Sequence, residues 1–480
     1  MRRIALLACL ALACTYGTAQ AGPLRLYPLH AEPDTVLGGR IVDSLGRQVL
    51  LRGVNVNSLV DYPKTTRLPA SFPLQPKDPA RMAAIGWNAV RLGISWSRVE
   101  TRPFHYDDGY LEYVADTVKS LRRRGLYAIL DLREDAWAPA TWQAFLADAP
   151  GPGDAGLQTR FLYMLYHVAE RFAKSPSVAG FDVVNEPGAL TPADGQRLAS
   201  LYARALVAVR AAERLHAGTQ HLLFFEPSAL WSRGVRGAPP AFQNDGGIVY
   251  APHVYSGEQP VTRNPFDAAV NEAKGFGGAP VVAGEWGAGP AAIASGYFSL
   301  HQGYQDQFRI GALLSTWRQS CGDPLLLGSW LAGRVPQVWG EFDVDCRTNQ
   351  VTGVREALVQ QLARAYVRAA PGRLNGQTYD PAAGTFAAWG TSQKTAGALL
   401  AFYPHTKLGG MRFAVKGLAD ARVNRTPGGG TLISARPLGG AWELAATPAP
   451  RPGAGRRPRA GRRARHAAAS AAAPRRRPGS

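Results

Sequence analysis

The sequence predicts a (β/α)8 barrel followed by a small C-terminal antiparallel β domain. Three observations support this. Between residues 48 and 370, short and almost unbroken apolar runs alternate with longer stretches of helical period. Carboxylates, amides and aromatic residues collect at the ends of those runs rather than along them. From about Asn375 to Ala446 the texture changes to short strand-like runs separated by Gly, Pro and Asn.

Taken in chain order, the first residues are Met1-Arg2-Arg3, then the apolar stretch Ile4–Ala13, then Ala19-Gln20-Ala21. This charged, apolar, small-x-small order is that of a secretory signal, so residues 1–21 are expected to be cleaved after Ala21 and the protein to be secreted or periplasmic. A lipid-modified form through Cys9 or Cys14 is a second reading. The apolar stretch is shorter than the roughly 20 residues a bilayer span requires, and no later segment approaches that length, so no transmembrane segment is expected. Export would remove Cys9 and Cys14 and leave Cys321 and Cys346. An even pair in an oxidising compartment reads as one disulfide.

The apolar runs are Val49–Val56, Ala89–Ile94, Tyr127–Leu132, Gly180–Val184, Leu222–Phe225, Ile248–Ala251, Pro280–Ala283 and Gly311–Ser315. Continuous apolarity is what a strand covered on both faces requires, as in a parallel sheet sheathed by helices. The intervening segments fit that role. Asp194 can cap a helix whose Leu198, Leu201, Tyr202, Ala205 and Val209 share one face, and Leu358, Leu362, Ala365 and Tyr366 repeat the pattern before Pro371-Gly372. Eight such repeats suit a closed barrel over residues 22–374 better than an open doubly wound sheet. No G-x-G-x-x-G follows any run, which removes the main sign of a dinucleotide site, and no cofactor or metal is expected.

Residues 375–447 read as a β-sandwich-like domain with strands at Phe386–Trp389, Leu399–Tyr403, Met411–Val415 and Thr431–Ser434. Residues 448–480 form an Arg/Ala/Pro/Gly tail that cannot bury enough apolar area to fold; an altered reading frame is another possible origin for it. The tail carries ten arginines and no acid, and removing them with Arg2 and Arg3 reduces the formal charge from +19 to +7 for residues 22–449. A nucleic-acid-binding body is therefore not indicated. The tail itself is expected to make weak electrostatic contacts with anionic surfaces.

On a barrel of this kind the chemistry sits at the C-terminal ends of the strands. Those positions hold Asn55, Arg91, Arg133, Asp135, Asn185, Glu186, Glu226, His253, Tyr255, Glu285 and Trp317. Glu186 and Glu285 end the fourth and seventh runs and would face each other across the mouth. Two opposed carboxylates are what retaining glycoside hydrolysis needs, one to attack the anomeric carbon and the other to protonate the leaving oxygen. Asn185 suits a sugar 2-hydroxyl, His253 and Tyr255 suit hydrogen bonds to the two glutamates, and Trp317 offers a ring face for a sugar. Arg91 is expected to order the nucleophile's carboxylate. Glu226 and Asp135 stand between support and direct substrate contact, and Trp96, Trp137 and Trp286 between loop packing and subsites. The plainer alternative for Asn185-Glu186-Pro187 is a turn opening a helix.

Phe181-Asp182-Val183-Val184-Asn185-Glu186-Pro187 and Val282-Ala283-Gly284-Glu285-Trp286-Gly287 resemble the acid/base and nucleophile motifs of glycoside hydrolase family 5. Ala89-Val90-Arg91-Leu92, Tyr250-Ala251-Pro252-His253-Val254-Tyr255 and Ser315-Thr316-Trp317 match that family's other strand ends. With Leu50-Leu51-Arg52-Gly53-Val54-Asn55, Phe224-Phe225-Glu226-Pro227 and the C-terminal β domain, the set is most similar to the endoglycosylceramidase-like branch, over roughly residues 36–446. The resemblance implies an O-glycosyl hydrolase with Glu186 as acid/base, Glu285 as nucleophile and a glycosylceramide-type glycolipid as substrate. A β-glucan or β-mannan hydrolase of the same family is the alternative within the class, and a non-catalytic carbohydrate-binding barrel the alternative outside it. One departure stands out. Members of that branch usually carry Asp-Met-His-Gln-Asp after the third strand, where this chain reads Asp131-Leu132-Arg133-Glu134-Asp135 and so puts a permanent, forked cation in place of a histidine.

Overall fold

Eight parallel strands form the barrel: Arg52–Leu59, Ala89–Ser95, Tyr127–Arg133, Val178–Asp182, Leu222–Phe225, Ile248–Tyr250, Val282–Trp286 and Gly311–Leu314. They are called here the first to eighth barrel strands. The computed structural model describes residues 24–133, 142–151, 155–234, 237–255, 261–404, 411–426 and 430–449. The expected signal segment, the tail from residue 450 and the loop holding Glu134, Asp135 and Trp137 lie outside the described residues. The strands neighbour one another in chain order, and the eighth returns to the first through Ala312–Arg52, Leu313–Gly53 and Leu314–Val54. A single bridge between Tyr250 and Val281 joins the sixth to the seventh and completes the circle. Each expected apolar run thus forms a barrel strand.

Side-chain alternation explains why these runs are apolar throughout. One face of each strand fills the barrel interior, where Ile129, Phe224, Val249 and Leu313 pack as a plug toward the base. The other face meets the surrounding helices, as Val90, Leu130, Phe181 and Phe225 do. The helix Pro192–Leu215 buries Leu198, Leu201, Tyr202, Ala205 and Val209 as its spacing predicts. Its cap lies three residues earlier than expected: the Thr191 hydroxyl accepts from the Asp194 amide while Asp194 accepts from the Thr191 amide. That is a reciprocal capping box, with Pro192 at the first helical position where its missing N–H is not needed.

Two parts of the chain depart from the expected boundaries. The helix containing Leu358 spans only Glu356–Leu362, and Tyr366–Pro371 is a strand. The helical spacing of Ala365 and Tyr366 with Leu358 was coincidental, since all six residues of that strand are buried by packing on both faces. The second departure is at the start of the described chain. Leu29–Glu32, Arg40–Asp43 and Arg47–Val49 do not join the barrel but pair onto Tyr366–Pro371, which continues through Leu399–Tyr403 and Thr431–Pro437 to Leu418–Arg425 as a seven-stranded antiparallel sheet. Val49 sits opposite Ala369 there, which is why the first barrel strand begins at Arg52 rather than at Val49.

A second, four-stranded sheet of Arg373–Asp380, Thr385–Ser392, Gly440–Pro448 and Met411–Lys416 packs against the first. Leu374, Phe386, Phe402, Tyr403, Trp442 and Leu444 form the core between them. The Tyr366 hydroxyl donates to the Gly86 carbonyl of the barrel at 2.8 Å and docks this sandwich beside the first helix. No helix among the described residues is long and apolar enough to cross a membrane.

The long loop after the eighth barrel strand is closed by the Cys321–Cys346 disulfide, which packs with Val338 in a small core of its own. A cross-link over 25 residues stabilises by about 3 kcal/mol through the entropy it removes from the unfolded chain. The Cys321→Ser/Cys346→Ser variant is therefore expected to lose about that amount in urea unfolding. A loss below about 1 kcal/mol would mean that the loop opens without the rest of the fold.

Candidate active site

Arg91, on the second barrel strand, has no exposed surface. Its Nε donates to Asp182 at 2.7 Å; Nη1 donates to Asn55 and to Glu285 Oε1, both at 3.1 Å; Nη2 donates to Asp131 at 2.9 Å, Glu226 at 2.7 Å and Asn185 at 3.1 Å. A guanidinium has five donors and cannot lose its proton, so complete pairing is what permits its burial. The Asn55 amide in turn donates to the carbonyls of Gly284 and Leu313 and fixes the first strand against the seventh and eighth. Arg91 cannot reach a substrate. It holds the Glu285 carboxylate in place from behind.

Glu285 is 8% exposed. Its Oε1 accepts from Arg91 and from Arg133 Nη2 at 3.2 Å, and its Oε2 accepts from the Tyr255 hydroxyl at 2.6 Å. Burial opposes its charge, but the neighbouring His253, Arg133 and Arg91 and the Tyr255 hydrogen bond outweigh burial and hold its pKa well below the ordinary carboxylate range. Burial beside Glu285 pushes the Tyr255 phenol up, so that it remains a donor. Arg133 therefore points inward. Its Nε also donates to Asp131 Oδ2 at 2.5 Å, and the residue is buried.

Glu186 differs in every respect. Its side chain is 38% exposed, and Oε1 lies 2.9 Å from His253 Nδ1. Its backbone is left-handed, with φ of 45°, a conformation that strains a residue with a Cβ. The Glu226 carboxylate secures it by accepting the Glu186 amide at 2.9 Å. The other Glu226 oxygen lies 2.7 Å from Arg91 and 3.0 Å from His253 Nε2, the latter an ion-pair approach rather than an aligned hydrogen bond. Glu226 is buried, so it supports the site from behind. Burial disfavours charge on His253, yet the charges of Glu226 and Glu285 and the hydrogen bond to Glu186 raise its pKa well above the usual histidine value. Gly284 makes room for this imidazole, because a Cβ there would lie 3.1 Å from its Cδ2.

Ligand atoms of Glu186, His253 and Glu285 all lie within 4.8 Å of one another. A metal ion placed among them would meet the two guanidinium groups already bonded to Glu285, so the set fits a cation poorly. The remaining expected residues differ in their placement. Asn185 is part of the cluster. Trp317 lies beneath it, 2% exposed and packed edge-on against Trp87 and Phe342, so it presents little ring face to the mouth. Asp135 lies outside the described residues. Trp96 and Trp286 pack inward, the first donating to Glu100 and the second stacking on His301.

Several residues of the site were not singled out by the sequence reading. Asp131 and Asp182 are ligands of Arg91; charged residues inside otherwise apolar strands were the available signal. Trp339, 6.0 Å from the Tyr255 ring between centroids, and the buried Gln319–Asp323 pair come from the disulfide-closed loop. Nothing in their spacing points to the mouth, because the loop reaches it only through the tertiary fold.

Residues 52–308 match the family described as cellulase, glycosyl hydrolase family 5. Endoglycoceramidase I of Rhodococcus hoagii strain 103S is 28% identical over 280 residues, 47% of this chain and 54% of that protein. Glucosylceramidase of Rhizopus delemar is 30% identical over 134 residues, 23% of this chain and 19% of that one. The chain thus spans about half or less of the length of these two relatives. Among solved structures, endogalactoceramidase superposes with a TM-score of 0.75 at 31% identity, covering 88% of this chain and all of that one. Endo-glycoceramidase II from Rhodococcus sp. superposes with a TM-score of 0.67 at 22% identity over 85% of this chain and 99% of that one, a likeness of fold.

The geometry makes Arg133 testable apart from any substrate. Removing one of the cations on Glu285 in Arg133→Gln is expected to raise that carboxyl's titration midpoint by about one unit or more, read by pH titration of 13C-glutamate NMR spectra. The sign follows from the charge, because a lost positive neighbour favours the protonated acid. An unmoved midpoint would mean that Arg91 and His253 hold the anion without Arg133.

Proposed function

The chain belongs to glycosyl hydrolase family 5, on its endoglycosylceramidase-like branch, and from that premise we propose that it is an exported retaining β-glycosidase that cleaves glycosylceramide-type glycolipids. The observation that carries the mechanism is the approach of the two carboxylates: oxygens of Glu186 and Glu285 lie within 4.8 Å. Retaining enzymes hold their carboxyl groups about 5–5.5 Å apart, whereas inverting ones leave about 6.5–9.5 Å for a water. The glycolipid substrate is supported by the likeness to endogalactoceramidase at 31% identity over nearly the whole of the described chain. The signal-like order of residues 1–21 and the Cys321–Cys346 disulfide support export.

The chemistry follows from the asymmetry of the pair. Glu285, ionised by its cations and with Oε1 occupied by two guanidinium groups, attacks the anomeric carbon while Glu186, half-exposed at the mouth, gives its proton to the leaving oxygen. The glycosyl ester of Glu285 is then hydrolysed by water that Glu186 deprotonates. A carboxylate of depressed basicity is a weak nucleophile but a good leaving group, so the arrangement favours the second displacement. Asn185, whose Oδ1 is taken by Arg91, keeps its amide N–H groups for a sugar hydroxyl.

Glu285→Gln is expected to lower kcat by about 10⁴-fold or more while leaving glycan binding measurable, since it removes the nucleophile and keeps the shape. Glu186→Gln should lower kcat by about 10²–10⁴-fold on substrates whose leaving group needs a proton, and spare activated aryl β-glycosides. Azide added to Glu186→Ala should restore turnover of an aryl substrate and yield the β-azide. Proton NMR of the first-formed sugar checks the stereochemistry. An α anomer from the unmodified enzyme would overturn the two-step mechanism, and release of short glucans with no ceramide from a glycosphingolipid mixture would overturn the substrate class.

A further inference from the structure

Arg52 opens the first barrel strand and is 4% exposed. Its guanidinium lies over the Tyr366 ring, 5.0 Å from the centroid, and its Nη2 lies 2.8 Å from Asp306 Oδ1 on the helix Tyr297–Phe308. Neither approach is an aligned hydrogen bond, and Nε, Nη1 and Nη2 have no such partner among the described residues. Asp306 does not belong to Arg52 alone. Arg364 donates to its Oδ2 through Nε at 2.8 Å and approaches it through Nη2 at 2.6 Å, while Gln377 donates to its Oδ1 at 2.7 Å. Two buried guanidinium groups thus share one carboxylate, and the group carries one excess positive charge. Arg91, at the other end of its burial cost, has every donor matched.

Arg52 and Arg364 line a cavity of about 10 Å³ between the barrel, that helix and the sandwich, together with Trp286 and Tyr366. The Trp286 indole N–H is also buried without a hydrogen-bond partner among the described residues. Among those residues no acidic side chain lines the cavity, and the unpaired polar groups of its wall are all N–H donors. A buried cation without its full complement of negative charge is costly, and so is each unmatched donor. Water would have to donate as well as accept, and it would leave the charge uncompensated. A monovalent anion accepts from every donor and neutralises the excess charge. A space of this size takes about one water-sized body, which suits a single chloride and excludes phosphate or sulfate.

We propose that this cavity is a binding site for one halide ion, chloride in ordinary solution, held by the Arg52 guanidinium and the Trp286 indole. The ion joins the first and seventh barrel strands to the helix Tyr297–Phe308 and to the sandwich strand Tyr366–Pro371. Trp286 directly follows Glu285 in the seventh strand, and its ring stacks on His301 of that helix at 4.3 Å between centroids. The ion therefore braces the strand that carries Glu285. The inference stands on burial and charge alone and does not depend on the substrate.

The test is thermal unfolding of the full chain as sodium gluconate is exchanged for sodium chloride at fixed ionic strength, gluconate being too large for the cavity. Chloride at about 0.2 M is expected to raise Tm by about 2 °C or more, because it binds the folded state alone. Arg52→Gln, which leaves Asp306 to Arg364, should abolish the difference. Trp286→Phe, which keeps a ring against His301 and removes the N–H, should raise the chloride concentration for half the shift about tenfold. The arginines of residues 450–480 are present in every variant, so halide bound to them cancels in the comparison. Crystals soaked in bromide should show an anomalous peak beside Arg52 and Trp286. The same Tm in chloride and gluconate would overturn the proposal, as would a chloride shift that survives unchanged in both variants. A bromide-soaked crystal with no peak beside Arg52 would assign the cavity to water and overturn it too. If Arg52→Gln fails to fold, the Trp286→Phe titration and the bromide peak decide the matter.

Discussion

A single buried cation organises this molecule. Arg91 has no solvent to fall back on, and its donors are satisfied by side chains on or just after the first, third, fourth, fifth and seventh strands: Asn55, Asp131, Asp182 with Asn185, Glu226 and Glu285. Leaving a guanidinium partly unpaired at that depth costs several kcal/mol. A one-residue slip of any of those strands would turn its polar side chain out of the barrel. Closing the barrel in register and assembling the site are therefore one event. The carboxylates outnumber the charges that face them, and Asp182 bears the consequence: burial, offset in part by Arg91 and reinforced by Glu226 and Asp131, pushes its pKa up to about 7. Glu285 moves the other way. Its ionised form contributes stability above the ordinary carboxylate range that is lost as pH falls toward its depressed value, whereas the stability contributed by protonated Asp182 is lost as pH rises through about 7.

Around that centre the two glutamates are set apart by their surroundings rather than by their own chemistry. Glu285 sits in the wall with its oxygens occupied by Arg91, Arg133 and Tyr255. Glu186 stands at the rim in a left-handed backbone conformation that Glu226 secures. Because Glu226 also meets Arg91 and His253, the strain at Glu186 is tied to the same network that charges Glu285. A change at Glu226 would thus reach both carboxylates at once, although it touches neither one's reacting oxygen.

Much of this was legible in the sequence because parallel strands sheathed by helices leave an unambiguous trace. Eight apolar runs gave eight strands, and the residues following them gave Asn185, Glu186, Glu226, His253, Tyr255 and Glu285. What escaped had physical reasons. The sandwich strands Arg373–Asp380, Leu418–Arg425 and Gly440–Pro448 alternate polar and small residues, since one face of each meets solvent. The pairing of Arg47–Val49 with Tyr366–Pro371 spans more than three hundred residues and has no local signature. Trp317 was read as a sugar platform from its position at a strand end, yet position alone does not tell a floor packed on Trp87 and Phe342 from an open face. The mouth-facing part of the disulfide loop is legible only once the barrel places it.

The arginine that replaces the branch's usual histidine completes a closed circuit of alternating charge. Asp131 accepts Arg91 on one oxygen and Arg133 on the other, and Glu285 Oε1 accepts both guanidinium groups. Each member is held by two others, so little further side-chain entropy is lost when the last bond closes. A neutral histidine could not close such a circuit, and a protonated one would open it again as the pH rose through its pKa. Arginine keeps it closed at any working pH. The circuit also makes the two oxygens of Glu285 unequal. Oε1 is bound by two fixed cations, while Oε2 accepts from the Tyr255 phenol, a neutral donor, and lies 3.7 Å from His253 Nδ1. On the mechanism proposed above, the attacking lone pair is on Oε2, the oxygen that lies 3.7 Å from His253 Nδ1, and Arg133 orients the carboxylate as well as charging it.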